Sequence, residues 1–112
     1  RQKAAGEPLT IVGDGSQKRD FVHVEDVARA NYLASLMPLR KDGHDYTGEV
    51  FNVGSGKNCS IQEIADVISD NQVYISKRDG EMETTLADIS KIRSVLGWVP
   101  EIDVLEWVHG QK

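Results

Sequence analysis

A glycine-bounded turn, Gly13-Asp14-Gly15, constrains the fold of this chain more than any other stretch. Glycine reaches backbone angles that other residues avoid, so this loop can bend tightly or let a ligand approach closely. Residues 9–12 before the turn favour β-structure, and a short apolar run follows at residues 21–24. Arg19 stands where the turn becomes extended, and a guanidinium there can bind a phosphate or carboxylate through paired hydrogen bonds.

Hydrophobic spacing predicts the remaining elements. Apolar residues three and four apart predict helices over residues 25–37, 61–68 and 102–108. Ser60 and Glu63 have capping-box spacing, and Asp88 is predicted to cap a further helix that ends at Gly97. Strands are predicted at residues 9–12, 49–53 and 73–75, with loops at 39–48 and 77–86. Trp98 and Trp107 are predicted to lie in the core.

Composition limits the class of partner. The 112 residues suffice for one domain with a modest core. The net charge of −5 argues against nucleic acid or an anionic membrane as the main partner, and no apolar run reaches the roughly 20 residues of a membrane span. Cys59 is the only cysteine, so a disulfide within the chain is impossible and a reducing cytoplasm fits. Because the chain begins with Arg1, we expect it to be part of a longer protein.

Three motifs carry a family resemblance. Residues 8–27 follow the pattern P-L-x-I-x-G-D-G-x-Q-x-R-D-F-x-x-V-x-D-V almost throughout, and residues 51–56 read Phe-Asn-Val-Gly-Ser-Gly. Arg78-Asp79-Gly80-Glu81 and residues 86–100 supply the third. In these motifs the chain resembles the C-terminal part of nucleotide-sugar epimerases and dehydratases. These enzymes are extended short-chain dehydrogenase/reductases, and the chain looks most like UDP-glucose 4-epimerase.

The resemblance implies a fold and a binding site. The fold would be the α/β substrate-binding portion of such an enzyme, with short strands, about four helices and no Rossmann core, and residues 1–112 would form a single domain. Two arginines would hold the diphosphate of a nucleotide sugar, an acidic residue would accept hydrogen bonds from the ribose, and strand backbone would bracket a uracil. The substrate-binding residues so implied are Thr10, Ile11, Val12, Arg19, Arg78 and Glu81. Asp79, where the family often has proline, would add negative charge beside the second arginine.

The resemblance also implies chemistry that this chain cannot perform alone. The family's enzymes use NAD on an N-terminal Rossmann domain and a Tyr-x-x-x-Lys pair to move hydride at C4 of the sugar. The residues four positions after Tyr32, Tyr46 and Tyr74 are not lysine, and the chain has no dinucleotide glycine fingerprint. We therefore expect no catalytic residue and no NAD binding here, with NAD belonging to a longer parent protein. Dehydratase, decarboxylase and stand-alone binding functions remain alternatives to the epimerase.

Other motifs favour structural interpretations. The Gly54-Ser55-Gly56-Lys57 turn lacks the residues of a phosphate-binding P-loop, so a strand-to-helix connection is predicted. His23 is predicted to be a satisfied core or edge histidine, and the spacing of histidines and cysteine predicts no metal site. The helix at 25–37 and the strand at 49–53 are expected to pack on the Rossmann domain in the parent. Without that cover, self-association of the chain is possible.

Overall fold

The computed structural model describes residues 1–37, 40–41 and 43–111. Within these ranges the chain forms four α-helices and six short strands, so the predicted α/β class is confirmed. The helices are α1 (Val24–Leu36), α2 (Ile61–Ile68), α3 (Ser90–Leu96) and α4 (Val104–Gly110), after a 3-10 turn at Lys3–Ala5. The strands are β1 (Leu9–Val12), β2 (Lys18–Arg19), β3 (Arg40–Lys41), β4 (His44–Asp45), β5 (Cys59–Ser60) and β6 (Gln72–Ile75).

The described strands pair in three separate ladders of two. β1 and β6 run parallel, with Ile11 opposite Tyr74. β2 and β5 run antiparallel, with Arg19 opposite Cys59, and β3 and β4 form an antiparallel hairpin. A parallel pair needs a long crossover, and here β1 and β6 lie on either side of α1 and α2 in the sequence. The β1–β6 ladder therefore ties the first part of the chain to its second half.

Local signals set the helix boundaries that the sequence predicted. The Ser60 hydroxyl accepts a hydrogen bond from the Glu63 amide at 3.1 Å, and the Glu63 carboxylate accepts from the Ser60 amide at 2.6 Å. This reciprocal pair confirms the capping box at the start of α2. α1 and α3 also form as predicted, and α3 ends at Gly97 in the left-handed conformation. The last helix is capped by Asp103, whose carboxylate accepts from the amides of Leu105 and Glu106.

Trp98 lies at the centre of the hydrophobic core and is completely buried. The core cluster comprises Ala30, Ile89, Ile92 and Trp98, from α1, α3 and the segments flanking α3. The indole nitrogen of Trp98 donates to the backbone carbonyl of Asp26 at 2.9 Å, so its one polar atom is satisfied. The core thus joins α1 to the C-terminal third of the chain.

Trp107 does not belong to this core, so the prediction for it is wrong. Its side chain remains 45% exposed, and its ring lies 5.5 Å from the ring of His23. The C-terminal helix α4 packs mainly against α2, so Trp107 lies outside the cluster around Trp98. Hydrophobic spacing identified α4 but could not show which of its apolar residues would be covered.

The strand predicted at residues 49–53 is also wrong for the described chain. A strand is defined by pairing, and these residues have no partner strand among those described. The carbonyl of Val50 instead accepts from the Lys91 ammonium at 2.8 Å, while Phe51 and Val53 pack against the core cluster. The segment is therefore held by side chains from α3 and the core.

Two smaller predictions need correction. The loop predicted at residues 39–48 contains the β3–β4 hairpin, whereas Leu39 and Asp42 lie outside the described residues. Asp88 is not the N-cap of α3, because the helix begins at Ser90 and Ile89 occupies that position. The Asp88 carboxylate accepts from the amide and hydroxyl of Ser90, so it closes a turn just before the helix.

The described chain is elongated. Its radius of gyration is 17.7 Å, whereas a compact domain of this length has about 13 Å.

Large apolar side chains remain exposed on α1, where Val24, Tyr32 and Leu36 are spaced four and eight residues apart and lie on one face. None of the helices in the described ranges combines the length and apolarity needed to cross a lipid bilayer.

Candidate functional site

Arg19 lies on a strand with neighbours on both sides. On one side, β2 pairs with β5. On the other, the Lys18 amide donates to the carbonyl of Glu83 at 2.9 Å, and the Thr85 amide donates to the carbonyl of Lys18 at 3.1 Å. Because its two flanks are paired, β2 is the central segment of a small three-segment sheet. A side chain that stands on such a segment has a well-defined direction.

The Arg19 guanidinium has little to bind within the protein. Its side chain is half-buried and makes one hydrogen bond, from Nη1 to the carbonyl of Lys18 at 2.8 Å. It makes no ion pair with a carboxylate of the described residues. Arg19 lines a cavity of about 220 Å³ together with Lys57 and Asn58, and two acidic residues, Glu63 and Asp103, line it as well. Guanidinium has five donors, so most of them are available to an anion in this cavity.

The loop that carries Arg78 and Glu81 is held at both ends against the segment that precedes Arg19. At its start, the Gly13 amide donates to the carbonyl of Ile75 at 2.8 Å, which extends the β1–β6 pairing. At its end, Glu83 accepts from the Lys18 amide. The loop therefore begins and ends beside the glycine turn, and its reach is limited to that side of the protein.

Within this loop, Arg78 is exposed and has no hydrogen bond or ion pair among the described residues. Glu81 is half-buried in a small cavity of about 20 Å³ that Gly13, Lys77 and Glu83 also line. The Lys77 ammonium pairs with the carboxylate of Glu83. Arg19 and Glu81 thus line different cavities, and convergence of the two arginines on one ligand stays a prediction.

The glycine turn itself is fixed by α2. The amides of Ile61 and Gln62, at the start of the helix, donate to the carbonyls of Gln17 and Gly15 at 3.0 and 2.9 Å. Gly15 is buried with a φ of 78°, and a Cβ there would lie 2.9 Å from the amide oxygen of Gln62. Glycine is favoured here because any other residue would be strained at this positive φ and would crowd the side chains of Gln62 and Ile11. The turn is therefore a rigid connection between β1 and β2.

The backbone of Thr10, Ile11 and Val12 has one edge toward β6 and one edge away from it. Ile11 pairs with β6 and is 1% exposed. On the outer edge, the Thr10 amide donates to the side-chain oxygen of Gln2 at 3.2 Å, and Gln17 donates to the carbonyl of Val12 at 2.8 Å. These glutamine amides occupy the edge where a uracil is expected, so a base would have to replace them.

Asp20 binds the Gly54-Ser55-Gly56 turn through its carboxylate. It accepts from the Ser55 amide at 2.7 Å, the Ser55 hydroxyl at 2.6 Å and the Gly56 amide at 3.1 Å. The Ala87 amide donates to the same carboxylate at 3.1 Å. Burial raises the pKa of Asp20, but the hydrogen bonds from Ser55, Ala87 and Gly56 outweigh it and hold the pKa below its ordinary value. The turn therefore holds an internal carboxylate, in agreement with the structural interpretation.

Histidine and cysteine have structural positions. His23 is the N-cap of α1, and its Nδ1 accepts from the Glu25 amide at 3.2 Å. Cys59 is buried, and burial together with the charges of Glu63 and Asp103 raises the pKa of its thiol. The described residues contain no cluster of histidine, cysteine and carboxylate side chains that could hold a metal ion.

Sequence reasoning missed two residues of this region. Lys57 lines the same cavity as Arg19 and adds a second positive charge, so two basic residues face the two acidic ones, Glu63 and Asp103. In the sequence Lys57 belongs only to a turn that lacks the residues of a P-loop, and it is too far from Arg19 for the sequence to show that the two share a cavity. Asp20 was overlooked beside Arg19 because its partners are 35 and 67 residues further along the chain.

Comparison with known proteins places this geometry in a family. The sequence profile of a family described as GDP-mannose 4,6 dehydratase matches residues 1–110. The chain belongs to this family. UDP-glucuronate 4-epimerase of Thermodesulfobacterium geofontis is 37% identical over 107 residues, which cover 89% of this chain and 31% of that protein. The resemblance to nucleotide-sugar epimerases and dehydratases is confirmed.

Solved structures of the family share the fold. The crystal structure of UDP-glucose 4-epimerase from Thermotoga maritima with UDP-glucose superposes with a TM-score of 0.79 and 32% identity, covering 96% of this chain and 34% of that one. UDP-glucuronic acid 4-epimerase of Bacillus cereus, in complex with UDP-glucuronic acid and NAD, gives a TM-score of 0.78, 31% identity and coverage of 96% and 34%. The chain spans about a third of the length of the relatives it matches.

Proposed function

We propose that this chain is the nucleotide-sugar-binding portion of an NAD-dependent UDP-sugar 4-epimerase. The position of Arg19 carries the proposal. Arg19 stands on a strand that is flanked on both sides and shares its cavity with Lys57. It forms no ion pair with a carboxylate of the described residues, although Glu63 and Asp103 line the same cavity. Relatives with known structures contain UDP-glucose or UDP-glucuronic acid, and their chains include a region like this one. An anion with the chemistry of a nucleotide diphosphate would satisfy these donors.

Electrostatics support two arginines at one diphosphate. The diphosphate of a nucleotide sugar carries about two negative charges, and a guanidinium can meet phosphate oxygens with paired, planar donors. Both ends of the Arg78 loop lie beside the glycine turn that leads to Arg19. A modest movement of the exposed loop could therefore bring Arg78 toward the ligand, with Glu81 beside it as an acceptor for ribose hydroxyls. Thr10, Ile11 and Val12 would offer their outer backbone edge to the uracil.

NAD would bind elsewhere in a complete protein. Within the described chain, the glycine turn best placed for a dinucleotide phosphate is the one that follows residues 51–53. Its Ser55 and Gly56 amides already donate to the Asp20 carboxylate. These residues therefore do not fit NAD, and we assign the cofactor to a separate Rossmann domain. On this proposal the 112 residues are a single substrate-binding domain without catalytic residues.

Replacing either arginine by alanine is expected to weaken UDP binding by roughly 10- to 150-fold in the complete protein that carries this sequence. A charged hydrogen bond contributes about 1.5–3 kcal/mol, which corresponds to that range of dissociation constants. Calorimetric titration of UDP into Arg19→Ala and Arg78→Ala provides the measurement. In the double variant the two losses of binding free energy should not simply add, because both side chains would act on one diphosphate.

Arg40→Ala is the matched control, because it removes the same residue type from the β3–β4 hairpin, a ladder separate from those of β1 and β2. UDP affinity should stay within about twofold in this variant. The assignment of a shared diphosphate site would be wrong if Arg19→Ala and Arg78→Ala bound UDP as tightly as the unmodified protein. An effect at Arg19 alone would reject only the role of Arg78.

A 4,6-dehydratase is the second candidate, since the matching family is described by that activity. The two reactions give different products from one nucleotide sugar. Epimerisation inverts the hydroxyl at C4 and leaves the mass unchanged, whereas 4,6-dehydration removes one water and leaves a 4-keto-6-deoxy sugar. After incubation of the nucleotide sugar with the complete protein and NAD, mass spectrometry detects dehydration as the loss of one water, and chromatography that separates the two C4 epimers detects epimerisation. A protein that binds UDP but produces neither change would favour a stand-alone binding module.

The exposed face of α1 is proposed to pack on the remainder of the complete protein. Tyr32 and Leu36 are 62% and 61% exposed, and a stripe of this kind is normally covered. The chain alone should therefore self-associate at tens of micromolar or above, as observed by analytical ultracentrifugation. Tyr32→Ser combined with Leu36→Ser should weaken this association by at least about tenfold, because less apolar area is buried.

Leu86→Ser is the control for this stripe, because Leu86 is similarly exposed at 60% but lies outside α1. It should leave the association constant almost unchanged. If the unmodified chain remained monomeric at several hundred micromolar, or if both substitutions acted equally, α1 would not be the contact surface.

A further inference from the structure

Asp20 joins three stretches of the chain that are distant in sequence. Its carboxylate accepts hydrogen bonds from Ser55, Gly56 and Ala87 at 2.6–3.1 Å. All of these partners are donors, and backbone amides supply three of the four bonds. A carboxylate that binds only donors in fixed backbone positions holds those positions relative to one another.

The backbone beside this carboxylate makes a second set of contacts with the same region. The Asp20 amide donates to the Thr85 hydroxyl at 3.1 Å, and the Thr85 amide donates to the carbonyl of Lys18. Asn58 donates from its side chain to the Thr85 carbonyl at 3.1 Å. Residues 83–87 are thus held along residues 18–20. They form the C-terminal end of the loop that carries Arg78 and Glu81.

The packing around this junction leaves no space for adjustment. A Cβ on Gly54 would lie 2.5 Å from the Cβ of Ala87 and 3.0 Å from the Asp20 carboxylate. The three stretches therefore touch at the point where Asp20 binds them. Because Asp20 follows Arg19 directly, the same contacts set the position of the Arg19 backbone.

We infer that Asp20 is a positioning residue for the diphosphate of the nucleotide sugar. Its carboxylate sets the strand of Arg19 against residues 83–87, the anchored end of the loop that carries Arg78 and Glu81, and so limits the positions from which Arg78 can reach the ligand. The inference rests on the proposed function. Asp20 itself does not touch the ligand, because its oxygens are occupied by protein donors. Its effect should therefore fall on the diphosphate and not on the nucleoside.

The test compares UDP with uridine in the complete protein. Asp20→Asn keeps the size of the side chain but places an NH₂ group against backbone N–H donors, which should release one of the bound stretches. UDP should bind about tenfold more weakly, whereas uridine, which lacks the phosphates, should change by less than about twofold. Calorimetry measures the first constant and ligand-observed NMR the second. Thr85→Val removes the acceptor for the Asp20 amide. It should weaken UDP binding about threefold and, like Asp20→Asn, leave uridine binding almost unchanged.

Asp26→Asn is the matched control. Asp26 also accepts backbone hydrogen bonds, from Glu101 and Ile102, but it lies at the junction of α1 with the C-terminal segment. The Asp26→Asn variant should be less stable to unfolding, but the ratio of its UDP affinity to its uridine affinity should not change. Equal losses for both ligands in Asp20→Asn and Thr85→Val would reduce Asp20 to a structural role and overturn the inference. If the unmodified protein failed to bind UDP at all, the proposed function would fail first, and the inference with it.

Discussion

Trp98→Ala is expected to lower the free energy of unfolding by about 3–5 kcal/mol, the range for a large aromatic side chain lost from a core. Trp98 is 0% exposed and packs in the cluster with Ala30 and Ile92. The substitution also leaves the Asp26 carbonyl without its indole donor. Since the chain has a small core, this loss should remove most of its stability.

Urea denaturation followed by circular dichroism, at a concentration low enough to keep the chain monomeric, measures this change. Trp107→Ala is the matched control, because the same residue type is removed from a position that is 45% exposed. It should cost about 1 kcal/mol, the centre of the distribution for single substitutions. Similar losses at Trp98 and Trp107 would mean that the two indoles contribute equally to the core, contrary to the structure.

The features that the sequence predicted correctly have local causes. The capping box needs only Ser60 and Glu63, three residues apart, and the end of α3 needs only a glycine that can adopt the left-handed conformation. α1 follows from apolar spacing over one continuous segment. Such signals depend on neighbours within a turn or two, so they can be read without knowing the fold.

The features that the sequence did not predict depend on distant partners. Residues 49–53 have the composition of a strand, but a strand needs another strand beside it, and none is available among the described residues. Trp98 and Trp107 have the same chemistry, and only the packing of α4 decides which is covered. Asp20 and its donors are likewise related only through the folded chain. Knowledge of the family motif predicted Arg19 but gave no reason to select Lys57.

The distribution of ion pairs sharpens the argument for an anion site. The chain carries 18 acidic and 13 basic residues, so carboxylates are in excess. Even so, within the described residues Arg19 and Arg78 have no carboxylate partner, and neither do Lys57 and Arg93. Arg29 has two such partners, and Lys77 and Lys91 have one each. Arg19 differs from the exposed Lys57 and Arg93 because it lies half-buried on a strand that is flanked on both sides, and a guanidinium held in this way is suited to bind an anionic ligand. The substitutions at Arg19 and Arg78 test that argument directly.

Asp26→Ala is expected to cost about 3 kcal/mol, because it breaks a buried network by removing one member. Asp26 is 2% exposed, and its carboxylate accepts from the amides of Glu101 and Ile102 at 3.0–3.1 Å. It also pairs with the Arg29 guanidinium at 2.9 Å. Alanine would leave two backbone donors without a partner, although water can reach the partly exposed Arg29.

The stability that is lost in Asp26→Ala should become smaller as the pH is lowered. Burial raises the pKa of Asp26, but the hydrogen bonds from Ile102, Arg29 and Glu101 outweigh it and hold the pKa below its ordinary value. A lowered folded-state pKa stabilises the protein above the unfolded pKa of about 3.9, and this contribution is lost as the pH falls through the folded value. Denaturation of the unmodified chain and Asp26→Ala should therefore differ by a constant amount between pH 5 and 7, and by less below about pH 4.

Asp70→Ala, at an exposed position, is the control for this experiment and should change stability by no more than about 0.5 kcal/mol at any pH. It corrects for the general effect of removing one negative charge from an acidic chain. A difference between the unmodified chain and Asp26→Ala that persisted undiminished at pH 3 would show that the stabilisation does not need the ionised carboxylate. The network would then act through packing alone, and the role assigned to the Glu101 and Ile102 amides would be wrong.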